Sequence, residues 1–213
     1  MTALSFDVID ASVEPYAAQP TLLLRLRISE TTGTSVHALA LRALLKIEPQ
    51  RRRYDEADEV RLYELFGATP QWGDSLRPFL WTQLGAVVPG FRGATEIDLP
   101  VVCTYDFEVA AAKYLHALRD GVVPLALLFS GTVFSQSESG LIVEPVSWNA
   151  EASYSLPVST WRAVMDRYFP GGAWMRVDQA TLDRLQRYKA ERALRSWDDA
   201  LERLFKEAEA EEP

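Results

Sequence analysis

Cysteine occurs once in the 213 residues and histidine twice. A lone thiol closes no intramolecular disulfide, and nothing in the composition calls for an oxidising compartment. Two isolated histidines and one cysteine, none at ligand spacing, build no usual zinc or iron site, so neither a metal nor a cofactor is expected. No apolar run approaches the roughly 18–20 residues that cross a bilayer. The opening MTALSFDVID has no basic segment followed by an apolar one, so a secretory signal is not expected. No membrane insertion is expected, and the expected location is cytoplasmic. Positive charge is also short: 22 Lys and Arg face 30 Asp and Glu, a net charge of −8. That balance disfavours nucleic acid, whose binding depends on neutralising phosphates. The one basic cluster, Arg51-Arg52-Arg53, runs straight into Asp55, Glu56, Asp58 and Glu59, and reads as a solvated, internally paired helix entrance. No glycine-rich phosphate loop follows any strand. FSGTV at 129–133 lacks the glycine flanks of a nucleophile elbow.

What is present is a large apolar inventory. Hydrophobic residues make up 48%, with six tryptophans and nine phenylalanines, which is ample for a core, and the length fits one large domain or a domain carrying a smaller appendage. Leu22, Leu24, Leu26 and Ile28 alternate with Leu23, Arg25, Arg27 and Ser29, the period of a half-buried strand. Leu4, Phe6 and Val8 precede it in the same rhythm, and Leu39, Leu41, Ala43, Leu45 and Ile47 follow it. With TTGTS at 31–35 as a hairpin turn, these strands read as a meander. Helical spacing takes over at 55–66 and stops at Gly67, where a C-terminal cap belongs. Strand pattern returns at 96–105, 125–134, 141–147 and 150–156. From Pro157 onward three helices are expected. Ser159 and Asp178 are candidate caps, Ser196 with Asp199 makes a capping-box pattern, and PGGAW at 170–174 reads as a turn. The acidic end, EAEAEEP, is expected to fray.

The stretch LPVVCTYDFEVAAAKYLHALRDG at 99–121 gathers Cys103, Asp106, Glu108 and His116, the densest collection of reactive groups in the chain. A strand ending near Cys103 and a helix capped by Asp106 would leave His116 about 15 Å further along the axis. Cys103 then reads as a buried structural thiol and His116 as an exposed helix residue between Lys113 and Arg119. A reactive Cys103 beside the helix start stays open as the enzymatic alternative, as does an unrecognised carboxylate pair. Residues 67–93 show little periodicity and carry Trp72, Phe79 and Trp81 among Pro and Gly. These aromatics either plug one end of the sheet or stay exposed as partner contacts.

EPQRRRY with ELFG, LPVVCTYDFEVAAAKYLHALRDG, LLFSGTVF and FPGGAW together resemble an uncharacterised actinobacterial family, a domain of unknown function, along nearly the whole chain. Its members are often encoded beside nickel–iron hydrogenase genes. The resemblance implies an accessory role in hydrogenase assembly or maturation, with hydrogenase subunits or maturation factors as protein partners, and assigns no catalytic or binding residue. The run from the β-meander through Gly121 into VVPLALLFSGTVF is also similar in layout to the bacterial protein-export chaperone, which holds unfolded clients on an apolar groove. The expected fold is α+β, mainly β: an antiparallel, sandwich-like core over 1–157, and a helical appendage packed on it over 158–213. The expected function is non-enzymatic partner binding.

Overall fold

The computed structural model describes residues 2–104, 109–137, 140–172 and 176–211. Among the described residues, eight antiparallel strands form two sheets. β1 (Leu4–Val13), β2 (Thr21–Glu30) and β5 (Ala94–Val102) make a three-stranded sheet in the order β1-β2-β5. β3 (Val36–Ile47), β4 (Phe79–Phe91), β6 (Val122–Ser137), β7 (Gly140–Pro145) and β8 (Glu151–Pro157) make a five-stranded one. Its order is β4-β3-β6-β7, with β8 also pairing with β6. The fold is α+β and mainly β, as the alternation predicts.

The inner faces of the two sheets form one core. Leu22, Leu24, Leu26 and Ile28 of β2 are fully buried, and so are Leu39, Leu45 and Ile47 of β3. Phe6 of β1 stacks on Phe129 of β6 with centroids 4.4 Å apart, tying the sheets together. The expected meander is corrected here. β2 pairs with β1 and β5, whereas β3 belongs to the other sheet, so 31–35 switches sheets rather than closing a hairpin. Period-two alternation marks a buried face but does not say whether neighbouring strands pair or face one another.

A second correction concerns 67–93. After the short helix α2 (Trp72–Ser75), residues 79–91 form the long edge strand β4. Gly85, Pro89 and Gly90 blur its pattern, yet an edge strand tolerates proline because one side of its ladder goes unused. A bulge leaves Trp81 without a partner, since Leu80 pairs with Lys46 and Thr82 with Leu45.

Helices close the sandwich. α1 (Glu56–Phe66) is capped by the Asp55 carboxylate, which accepts from Asp58 N at 2.7 Å, and stops at Gly67 with φ 73°. α3 (Ala110–Ala117) buries Ala111, Tyr114 and Leu115. Arg61 and Arg162 donate to the Ala117 and Leu118 carbonyls, at 3.2 and 2.7 Å, satisfying groups a helix end leaves bare. α4 (Val158–Tyr168) buries Trp161, Val164 and Met165, and its Tyr168 hydroxyl donates to Ala17 O at 2.7 Å. The chain divides into compact units at Met1–Trp174 and Met175–Pro213, so α4 goes with the strands.

The second unit holds α5 (Gln179–Glu191) and α6 (Trp197–Glu211). Asp178 caps α5 by accepting from Thr181 N at 2.7 Å. Ser196 and Asp199 form the reciprocal capping box at 2.9 and 3.1 Å. The acidic end does not fray from Glu207, as its charge pattern suggested. α6 continues to Glu211, with Glu207 accepting from Tyr188 at 3.0 Å and Arg203 at 3.0 Å.

Candidate functional site

Cys103 follows β5 directly, is buried, and is fixed by its N–H donating to Pro20 O at 2.8 Å. Its thiol donates weakly to Val101 O at 3.6 Å. Burial pushes the thiol up to about 12, so thiolate is scarce at neutral pH and the sulfur packs as a small hydrophobe. Asp106 and Glu108 lie outside the described residues. His116 is not the solvent-facing helix residue that its charged neighbours suggest. It is half-buried, with its ring edge-on to Trp161 at 4.6 Å. Desolvation, then the Arg162 guanidinium, lowers it to about 4. A carboxylate lies at the shallow cleft where β6 and β8 meet, but Glu48 there is held 3.0 Å from Arg51. Ser130 of FSGTV stands exposed within β6, not on a strand-to-helix turn. Among the described residues no three of His, Cys, Asp and Glu gather as metal ligands.

The basic cluster is not wholly solvated. Arg52 and Asp58 are paired at 3.1 Å with side chains only 8% and 5% exposed, and Arg52 also donates to Val122 O at 2.8 Å. The pair ties α1 to the start of β6. Beside it, Tyr54 gives its hydroxyl proton to Pro49 O at 2.8 Å, so Tyr114, 2.7 Å away, donates to Tyr54. Burial holds both phenols above their ordinary range. Trp72 packs edge-on to Tyr54 and Phe66 at 5.1 and 6.4 Å, and its indole N–H donates to Gly67 O at 3.0 Å. Phe79 meets Tyr114 edge-on at 5.8 Å. Trp72 is only 8% exposed and belongs to the core that plugs this end of the sandwich. That removes it from the proposed contact set, because a buried indole presents nothing to a partner. Phe79 and Trp81 are half-buried against the same core.

The outward faces of the two sheets differ sharply in chemistry. On the three-stranded sheet, register lines Asp7, Arg27 and Glu96 in one row and Asp10, Arg25 and Asp98 in the next. Arg25 reaches Asp98 at 3.0 Å and Arg27 reaches Glu96 at 2.7 Å. This face is laced with alternating charge and suited to water. On the five-stranded sheet the equivalent rows are Val87-Ala40-Thr132, Gly85-Arg42-Ser130 and Gln83-Leu44-Leu128. Arg42 is the one charge in those three rows across β4, β3 and β6, and β8 adds Glu151 beside Leu128. Val87 is 81% exposed, and Leu44 and Leu80 are also open. Sequence reasoning missed this face because β4 did not read as a strand. The available signal was the alternation Ala38, Ala40, Arg42, Leu44, with a single charge, opposite the buried residues of β3.

Known proteins supply a family and little more. Among solved structures, a CARDB domain from Pyrococcus furiosus, crystallised with di-metal ions, is similar over 73% of this chain and 91% of its own, at 8% identity and TM-score 0.30. A β-glucosidase from Kluyveromyces marxianus is similar over 72% of this chain at 8% identity and TM-score 0.26. β-Glucosidase 3B from Thermotoga neapolitana matches 72% at 12% identity and TM-score 0.25. The match spans 15% and 17% of those two enzymes' lengths. Likeness this shallow carries no argument about activity. No curated protein matches the sequence. A family model does match, across residues 1–213, and by that match the chain belongs to the family of unknown function DUF6084.

Proposed function

We propose that the protein is a non-enzymatic accessory that binds a protein partner through the outward face of its five-stranded sheet, in the assembly or maturation of a nickel–iron hydrogenase. The observation that carries the binding reading is the contrast between the two sheet faces. One is a ladder of ion pairs; the other sets Arg42, Lys46 and Glu151 apart from one another among uncharged residues and is bordered by the exposed Val87. A sparsely charged, exposed β surface favours association, since depletion of charge marks the centre of protein interfaces. Leu80, exposed beside the β4 bulge, extends the surface along the edge strand. The hydrogenase assignment rests on the family resemblance alone.

The test is affinity capture of the tagged full chain from its native host, with mass spectrometry of what is retained. Recovery of hydrogenase subunits or maturation factors is expected, and Cys103→Ser should recover the same set. Capture of no protein would overturn the binding reading. Capture of an unrelated set would overturn the hydrogenase assignment alone. Loss of function in well-folded Cys103→Ser would favour the enzymatic alternative.

A further inference from the structure

Sheet edges are surfaces that recruit other strands, and this molecule protects most of its own. β1 carries a bulge at Ile9 and the charges Asp7 and Asp10. β5 carries Pro100, Glu96 and Asp98, and β4 carries Pro89, two glycines and the Trp81 bulge. β7 differs. Leu141, Ile142 and Val143 stand in a row with no charge, proline or bulge among them, and Leu141 and Val143 are 61% and 57% exposed.

The hydrogen-bond register says which backbone groups this edge offers. β7 pairs with β6 so that Ile142 opposes Ser135 and Val143 opposes Phe134. In the same register Val146 N donates to Gly131 O at 3.0 Å. Alternation along an antiparallel ladder then turns the N–H and C=O of Ile142 and Glu144 toward β6, and those of Leu141 and Val143 away from it. The other side of β6 agrees: Glu48 N donates to Pro124 O, which assigns the even-numbered residues of β6 to β3 and the odd-numbered ones to β7.

We propose that β7 pairs antiparallel with β7 of a second copy of this chain, about a two-fold axis at Ile142. In that register Leu141 of one copy opposes Val143 of the other, twice. The outward N–H and C=O groups of all four residues then exchange four hydrogen bonds. The same pairing sets Leu141 and Val143 side by side on the outward face, next to Phe134, as apolar cross-strand pairs. Ile142 meets its own symmetry mate, and Glu144 opposes Gly140, so no like charges meet. An isologous contact of this kind closes at two copies and joins the two five-stranded sheets into one.

The test is the mass of the full chain in solution, followed by sedimentation or light scattering across a dilution series. A dimer that dissociates on dilution is expected. Val143→Pro removes an N–H that β6 does not use, so it should fold and stay monomeric. Leu141→Lys should do the same by charge, and covers the case in which the proline variant fails to fold. Val102→Lys, on the β5 edge, should leave the dimer intact. A wild-type chain that is monomeric throughout, or a dimer unmoved by a folded β7 variant, would overturn the proposal. Neither result bears on capture of a different protein by the sheet face.

Discussion

Arg52 and Asp58 show how one pair can carry more than its count suggests. Both charges are almost fully removed from water and bridge α1 to β6. Removing one partner strands the other in the interior, a cost of about 3–5 kcal/mol. Asp58→Ala should therefore lower stability by that amount in denaturant unfolding. The double variant Arg52→Met, Asp58→Leu should recover a substantial part, since replacing both charges leaves none unpaired. His116 makes a prediction in pH. Its folded pKa, about 4, lies below the ordinary imidazole value, so the unfolded chain takes up a proton that the native state refuses. Stability should fall as pH drops from about 6.5 to 4, by about 2 kcal/mol once partial solvent contact is discounted. In His116→Gln, urea unfolding across that window should show a shallower decline.

Among the strands, β6 depends most on a single position. Gly131 has φ 147°, and a Cβ there would lie 2.0 Å from the Ala40 carbonyl oxygen of β3. Gly131→Ala must push β3 and β6 apart at the centre of the five-stranded sheet. The cost should be about 3 kcal/mol or more, read as a lower midpoint in thermal unfolding, whereas Gly33→Ala, where a Cβ meets nothing within 4 Å but φ is 83°, should cost only about 1 kcal/mol. Legibility in the sequence followed the same local logic. β2 and β3 were legible because a sandwich buries one face of each strand, which writes period two into the chain. α1 was legible from its helical spacing and the Gly67 stop, and α5 and α6 because Asp178 and the Ser196–Asp199 pair cap through side chains only three residues away. β4 was not, because an edge strand need not bury a full face and tolerates the Gly and Pro that read as loop. The sheet switch at 31–35 and the burial of His116 were hidden for a different reason. Each depends on a contact far along the chain, Trp161 in the case of His116.

At the scale of the whole molecule, the unit Met1–Trp174 is a sandwich whose two outward faces differ in chemistry, one laced with ion pairs and one sparsely charged. The buried, high-pKa Cys103 and the core position of Trp72 move attention from the sequence's chemical hot spots to a surface assembled from β3, β4 and β6. No single segment carries that surface, which is why no motif announced it. Capture efficiency of face variants, measured beside their melting curves, tests the central claim most directly. Val87→Asp, on the five-stranded sheet, should melt like wild type and lose partner capture by about 30-fold or more, the equivalent of about 2 kcal/mol at a binding hot spot. Arg27→Ala, on the charged sheet, should capture as wild type does. Retention of the partner by Val87→Asp with its loss in Arg27→Ala would place recognition on the wrong face and contradict the account.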